Sequence, residues 1–294
     1  MFSFNDLLTI NGISPQDVAV ALHKPANTSE RQALCTMIDE DFAAFNAYQS
    51  THARIPEATL KARGIMASFV MTSDGRMTFV GLFANAGSQP FAQAGPHVYA
   101  LFVRMTRKMT GPDEVNGRSG LEALQNRLLF DLSRLDTMSD LSGRLIVQDP
   151  GARNYMRVAD CTPLPVVELT KEAQMTPPVP NWDALVLTAP DLRKLPNSWR
   201  VQLSAWRGVY LIVDRCDGAR YVGAAYGSEN LFGRWSQHVA REIGITKELS
   251  QCDPAEFQFS ILELLSPAAT ADEVIGAERK WMRRIGTLEF GLNT

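Results

Sequence analysis

The sequence lacks most of the features that mark secreted, membrane-spanning and zinc-binding proteins. It has only 4 cysteines in 294 residues, without a Cys-x-x-Cys pair or a Cys/His spacing suited to zinc. Its apolar runs have the length of strands and fall short of the roughly 20 residues that a membrane span needs. The first residues carry no basic segment ahead of an apolar one. We therefore expect a cytoplasmic protein with reduced cysteines and no membrane contact.

An excess of positive charge is also missing. The net charge is −3, so any contact with nucleic acid has to come from a local patch. The densest basic run is Arg104, Arg107 and Lys108, at the predicted end of a strand, where a solvated strand end is the simpler interpretation. Histidine is scarce as well. His23, His52 and His97 stand alone in the sequence, which favours structural or surface roles over metal ligation.

The composition is that of a globular protein. Hydrophobic residues make up 45% and charged residues 21%, and a chain of this length exceeds what one core usually organises. Of the 16 prolines, 7 lie between residues 163 and 196. Apolar residues in this stretch recur at neither the helix nor the strand period. We predict one domain over residues 1–171, an extended Pro-rich connector over 172–200, and a second domain over 201–294.

Residues 1–171 predict an α+β domain with a mostly antiparallel sheet or a small barrel. Helix signals stand at Ser14-Pro15, ahead of DVAVALH, and at the capping box of Ser29 and Gln32, ahead of a helix to about residue 49. Strand patterns cover residues 65–72, 77–84 and 97–105, and a hairpin signal joins the first two. The prediction ends with a helix over 120–133 and strands in GRLIVQD, YMRVAD and PVVELT.

The last third of the chain is more clearly punctuated. GVYLIVD and ARYVGAAY predict two strands joined across an Asp-Gly turn, on which Tyr210 and Tyr221 can face the same side. A helix follows at about 229–242 and a strand at 257–265. The last helix begins at Thr270, where TADE forms a capping box, and ends at Gly286.

A carboxylate interrupts the apolar face of that last helix. Glu278 follows Val274 by four residues and precedes Trp281 by three, so its side chain projects from the same face. Burying such a charge without a partner costs several kcal/mol. A buried salt bridge and a place at the edge of a functional cleft both satisfy this pattern.

The middle helix carries a second polar pair beside its apolar stripe. Arg234 and His238 are four residues apart and therefore adjacent on the helix surface. A guanidinium can clamp a phosphate, and an imidazole with a pKa near neutrality can move a proton. A surface arginine beside an unrelated histidine is the alternative. Together with two phenols and a carboxylate, the pair would supply the parts of a one-metal phosphodiesterase.

These residues resemble the motifs of the GIY-YIG nuclease superfamily. Its name-giving tripeptides match residues 208–210 (GVY) and 221–223 (YVG), with Val for Ile in both. Arg234 and His238 in GRWSQH, Glu278 in AERKWMRRIGT and Asn293 in FGLN follow in the family's order. Five motifs over the last third of the chain are a specific signal. The arrangement is most similar to bacterial GIY-YIG proteins with a separate N-terminal domain.

The resemblance implies a three-stranded antiparallel sheet flanked by helices and one divalent metal ion, Mg²⁺ or Mn²⁺, in each site. It also implies a role for each matched residue: Tyr210 and His238 activate a water, Tyr221 orients that water or the phosphate, Arg234 stabilises charge on the phosphate, Glu278 holds the metal, and Asn293 supports the phosphate or Glu278 by hydrogen bonding.

We therefore expect a metal-dependent DNA endonuclease whose first domain selects a sequence or a modified base, as in restriction or phage defence. Two alternatives stay open: a structure-specific or single-strand repair nuclease, and a catalytically inactive DNA-binding module. A duplex break needs either a homodimer or two successive cuts by one site. Residues 206–294 hold 10 Lys and Arg against 12 Asp and Glu, so DNA affinity should depend heavily on the first domain or on dimerisation.

Overall fold

The computed structural model describes residues 2–110, 123–151, 154–241 and 249–293, together with Lys247. The chain divides into two compact units, Met1–Pro177 and Pro178–Thr294. Both combine helices with sheets, so the α+β class is confirmed. Within the described ranges, no helix has the length and hydropathy needed to cross a membrane.

The first unit is organised around one sheet with strand order β6-β1-β2-β3-β5-β7, and β4 pairs with β3 beside that path. β1 and β2 are parallel, and the other pairs are antiparallel. The strands are β1 (Val18–His23), β2 (Ile65–Met71), β3 (Met77–Pro90), β4 (Leu128–Arg134), β5 (Leu145–Val147), β6 (Met156–Val158) and β7 (Val166–Leu169). The helices are α1 (Phe4–Ile10), α2 (Thr28–Glu40), α3 (Phe42–Gln49), α4 (Arg54–Lys61) and α5 (Pro96–Thr110).

Two helix predictions near the start of the chain need correction. DVAVALH forms the interior strand β1 after a short 3-10 turn, and its alternate residues enter cores on both faces of the sheet. A continuous apolar run is typical of such a doubly buried strand. The long helix predicted from Ser29 is two helices: α2, capped by Asn27, and α3, capped by Asp41 at the break.

Two further predictions in the first unit are wrong. Residues 97–105, predicted as a strand, belong to α5, because Val98, Phe102 and Met105 recur at helical spacing and pack against other apolar residues. Of the helix predicted over 120–133, residues 120–122 lie outside the described ranges and 128–133 belong to β4, where buried and exposed residues alternate. The predicted hairpin of residues 65–72 and 77–84 is confirmed by the pairing of β2 with β3.

The basic run of residues 104–108 therefore lies on a helix and is partly neutralised. Arg104 Nη2 and Lys108 Nζ lie 2.7 and 3.7 Å from the carboxylate of Asp41. One carboxylate thus offsets part of the charge of three basic residues, and the run keeps a net positive charge.

The second unit holds a four-stranded antiparallel sheet with order β10-β9-β11-β8. The extra strand comes from residues 172–200, which we predicted as an extended connector and which instead contain β8, α6 and part of α7. The elements are β8 (Val186–Thr188), α6 (Ala189–Arg193), α7 (Asn197–Ala205), β9 (Arg207–Asp214), β10 (Arg220–Ala225), α8 (Asn230–Ala240), β11 (Phe257–Leu265), α9 (Ala271–Ile285) and α10 (Thr287–Phe290).

The signals read from the last third of the chain are local, and they hold in the structure. Thr270 and Glu273 form the predicted capping box of α9, and Gly286 ends that helix with a φ of 76°. One face of the sheet packs on Leu231 and Trp235 of α8, and Val274 of α9 packs with Ala224 of β10. These contacts fix α8 and α9 relative to the β9–β10 hairpin.

Candidate functional site

The candidate site is built on the hairpin of β9 and β10. Tyr210 pairs with Gly223 and Tyr221 with Ile212, so the two phenols lie diagonally on one face, with ring centroids 6.5 Å apart. Tyr210 is fully buried and Tyr221 is 5% exposed. The tyrosines therefore share a face, as the hairpin pattern predicts.

The glycine of each signature tripeptide is required by close packing. At Gly223 a methyl group would lie 2.8 Å from Cε2 of Tyr210 and closer still to Cζ and the hydroxyl oxygen. At Gly208 it would overlap the backbone carbonyl of Glu263 on β11. Gly223 thus lets the Tyr210 ring lie across the neighbouring strand, and Gly208 lets β9 and β11 approach next to the β11 bulge.

Tyr210 and His238 form a buried pair at the centre of the site. A hydrogen bond of 2.7 Å joins the Tyr210 hydroxyl and His238 Nε2, and His238 is 1% exposed. Burial raises the pKa of Tyr210. Burial and the nearby Arg234 charge lower the pKa of His238 to about 3. Both groups are therefore uncharged at pH 7, and His238 lacks the near-neutral pKa of a solvated imidazole.

Arg234 lies half-buried on α8, one turn before His238. Its Nη1 donates to Oε1 of Gln237 at 2.8 Å, and its charge opposes the burial that raises the pKa of Tyr210 and Tyr221. The guanidinium is therefore held toward the two phenols. Sequence reasoning missed Gln237, although its place three residues after Arg234 is a spacing at which helix side chains meet.

Glu278 is half-buried in the middle of α9. Burial raises the pKa of its carboxyl, while the Ala224 backbone N–H and the Arg234 charge oppose that rise. Within the described ranges Glu278 forms no ion pair. The described contacts therefore do not support a buried salt bridge, which leaves the interpretation that Glu278 lies at the edge of a functional cleft.

Trp281, on the apolar face of α9, anchors this helix to the sheet. Its Nε1 donates to Oε2 of Glu263 on β11 at 2.6 Å, and Arg284 stacks over its ring with 4.4 Å to the centroid. A hydrogen bond to a carboxylate is stronger than one between neutral groups. This contact helps to set the position of Glu278, one turn earlier on α9.

Asn293 is placed differently from the expectation that it supports the phosphate or Glu278. Its Nδ2 donates to the Val222 carbonyl at 2.7 Å, and its Oδ1 accepts from the Val222 N–H at 2.8 Å. The Leu292 N–H donates to the Arg220 carbonyl at 2.8 Å. The end of the chain thus pairs with the edge strand β10 and covers its open hydrogen-bonding groups. Gly291 permits this approach, since a methyl group there would lie 2.6 Å from the Arg220 oxygen.

The structure therefore brings five of the predicted side chains together: Tyr210, Tyr221, Arg234, His238 and Glu278. The sixth, Asn293, instead hydrogen-bonds to the backbone of β10. The described residues contain no cluster of three or more His, Cys, Asp and Glu that could hold a metal. Mg²⁺ is often bound by one or two carboxylates, water and substrate phosphate. Glu278, half-buried and without an ion pair among the described residues, fits as the protein ligand of such an ion.

Comparisons with known proteins found two weak structural likenesses. No family model matches the chain, and no curated protein matches it. A mutant form of the catalytic domain of intron endonuclease I-TevI is 23% identical, covering 30% of this chain and 92% of that chain, with a TM-score of 0.26. The catalytic domain of homing endonuclease I-TevI is 22% identical, covering 29% of this chain and 95% of that chain, with a TM-score of 0.25. At these TM-scores the likeness carries no conclusion about activity.

Proposed function

We propose that the second unit is a metal-dependent endonuclease of the GIY-YIG type that hydrolyses phosphodiester bonds in DNA, and that the first unit selects the target, as in restriction or phage defence. The observation that carries this proposal is the buried 2.7 Å hydrogen bond between Tyr210 and His238, on the sheet face that Arg234 and Glu278 also influence. Strand and helix propensity alone do not require a phenol and an imidazole to meet in a core.

The pair suits a proton relay. A water that attacks phosphorus must lose a proton as the new P–O bond forms and the old P–O bond breaks. Tyr210, with a pKa raised by burial, would take that proton while passing its own to His238 Nε2. Tyr210 and His238 are both buried, so the relay requires the Tyr210 hydroxyl to become accessible to the water when DNA binds. His238 would then act through its hydrogen bond with Tyr210. Negative charge that develops on the phosphate favours the resulting imidazolium.

The other side chains would bind the phosphate and its charge. The Arg234 guanidinium, oriented by Gln237, would donate hydrogen bonds to phosphate oxygens as their charge increases. Tyr221, beside both Tyr210 and His238, would orient the water or the phosphate. Glu278 would hold Mg²⁺ or Mn²⁺, which when bound supplies Lewis-acid stabilisation of that charge.

The exposed side of α9, which faces away from the apolar stripe that carries Glu278, would contact the DNA backbone. Four of the 10 basic residues counted in the last third of the chain lie on this helix, and all four are exposed: Arg279, Lys280, Arg283 and Arg284. A local group of this kind can bind phosphates even where net charge is negative. This basic group partly offsets the excess of acidic residues in the last third of the chain.

Nicking of supercoiled plasmid in Mg²⁺ or Mn²⁺ tests the proposal. We expect the wild-type protein to nick and Glu278→Ala to lose about a thousandfold in rate, since the metal ligand is removed. Asp272→Ala is a matched control, because it removes an exposed carboxylate from the first turn of the same helix. Equal activity of wild type and Glu278→Ala, or tight DNA binding without any cleavage, would refute the nuclease. Modified phage DNA and branched substrates then separate restriction from repair.

A further inference from the structure

A second group of aromatic and titratable side chains lies in the first unit, outside the site described above. They line a cleft of about 780 Å³, within the range of roughly 300 to 1,000 Å³ that is usual for small-molecule sites. His23 lies at the end of β1, Tyr48 near the end of α3, His52 shortly after it, and Tyr155 just before β6. We call this the His–Tyr cleft.

Each histidine of the His–Tyr cleft has a nitrogen without a hydrogen-bond partner. His23 is 4% and His52 is 5% exposed, and within the described ranges Nε2 of neither ring has a partner. His52 Nδ1, by contrast, lies 3.2 Å from the Tyr155 hydroxyl. Buried polar atoms are nearly always satisfied. These two nitrogens have almost no exposed surface of their own and would gain a partner if a ligand that entered the cleft beside them met the edges of the two rings.

The walls of the cleft favour a flat, uncharged ligand. Burial lowers the pKa of His23 to about 3 and of His52 to about 4, so each ring is neutral at pH 7 and offers one donor or acceptor at Nε2. The rings of Tyr48 and Tyr155 lie 5.3 and 6.4 Å from that of His23. The ammonium of Lys24 is held 2.7 Å from Asp149, so its charge is already matched. The carboxylate of Glu30 also lines the cleft and disfavours an anionic ligand.

Methionines complete the apolar part of this lining. Met105 and Met109 of α5 border the cleft, and thioethers make favourable contacts with aromatic rings. A heteroaromatic ring would meet apolar and aromatic surface on its faces and the two histidine nitrogens at its edge. A transition metal would need more ligands than two histidines, and the described residues gather no third His, Cys, Asp or Glu with them.

We propose that the His–Tyr cleft binds a single nucleobase, with its edge hydrogen-bonded to Nε2 of His23 and His52 and its face against Tyr48 and Tyr155. The inference rests on the proposed function and deepens it, since it names the part of the DNA that the first unit reads. A base must leave the double helix to enter such a cleft, and a mismatched, damaged or single-stranded base leaves it most easily.

Titration of the full chain with 2-aminopurine deoxyriboside in EDTA tests this site without cleavage. Stacking on aromatic side chains quenches the fluorescence of this nucleoside, and we expect saturable quenching by the wild-type protein. His52→Asn keeps a polar group near the Nδ1 position, which contacts Tyr155, and removes Nε2. Loss of one good hydrogen bond should weaken binding about tenfold, and His52→Gln, which restores a polar group near Nε2, should recover part of it.

Two further variants separate this site from general effects on folding. His97→Asn changes an exposed histidine that does not line the cleft and should bind like wild type. His23→Asn tests the second nitrogen independently and should also lose about tenfold if its hydrogen bond is made. Thermal melting of each variant verifies that it is folded before titration.

The outcomes distinguish this site from the nuclease site. Equal quenching by wild type, His52→Asn and His23→Asn would overturn the base site, and so would absence of saturable quenching at millimolar nucleoside. A Zn²⁺ titration that saturates at one ion and depends on both histidines, without nucleoside binding, would overturn it in favour of a metal. Glu278→Ala should bind the nucleoside like wild type. Plasmid cleavage without nucleoside binding refutes only the base site, and nucleoside binding without cleavage refutes only the nuclease.

Discussion

Gly223 controls the position of the Tyr210 ring, and Gly223→Ala is therefore a sharp perturbation of the candidate site. The added methyl would lie 2.8 Å from Cε2 of Tyr210 and closer to Cζ and the hydroxyl oxygen. Favourable carbon–carbon contacts are about 3.5 to 4.0 Å, so the ring has to move by about 1 Å. Tyr210 is fully buried between the sheet, Trp235 and His238, which leaves it little free space.

Two consequences of this substitution can be measured separately. Moving the ring by about 1 Å would take the 2.7 Å hydrogen bond to His238 out of range, since such bonds weaken beyond about 3.2 Å. We expect a loss of about a hundredfold in plasmid nicking, as for other misplacements of this size. Overpacking of a filled core should also lower the free energy of unfolding by about 1 to 3 kcal/mol.

Gly276→Ala is the matched control. Gly276 lies on α9 near Glu278, but no atom lies within 4 Å of the position that its added methyl would take. It should leave nicking unchanged and raise the free energy of unfolding by up to about 1 kcal/mol through helix propensity. Both variants are compared with wild type by urea unfolding and by nicking in Mg²⁺. If Gly223→Ala unfolds and nicks like wild type, the close packing of Tyr210 against β10 is not needed and our reasoning fails.

Three other perturbations probe the same unit. Tyr210→Phe keeps the ring but leaves His238 Nε2 without its partner. This variant should stay folded and lose at least about a hundredfold in nicking. A fully active variant would leave the tyrosine with only a packing role. Asn293→Ala removes both hydrogen bonds to Val222 and should cost about 1 to 3 kcal/mol with faster amide exchange at Val222; unchanged exchange would contradict this. His238 binds a proton near pH 6.5 when unfolded and only near pH 3 when folded, so its contribution to stability is complete above pH 6.5 and is lost as pH falls. Urea unfolding at pH 7.5 and pH 5 should differ by about 2 kcal/mol from this group, and His238→Gln should show a smaller difference.

The last third of the chain could be predicted from sequence because its signals are local. Two strand-length apolar runs on either side of an Asp-Gly turn, and a Thr-x-x-Glu capping box, act over a few residues, and they define β9, β10 and α9 without help from distant parts of the chain. The same kind of reasoning failed at β1. VAVALH is apolar throughout because both of its faces are buried, so it carries no alternation to distinguish a strand from a buried helix.

The sequence by itself determined which side chains stand at which spacing: two tyrosines on a hairpin, Arg234 four residues before His238, and a carboxylate on an apolar helix face. Only the tertiary structure decided their state and partners. Burial in the assembled core, together with Arg234, lowers the pKa of His238 to about 3. Asn293 pairs with Val222, 71 residues away, rather than with Glu278. Desolvation and long-range hydrogen bonds depend on which distant segments meet, and no local pattern in the chain encodes that meeting.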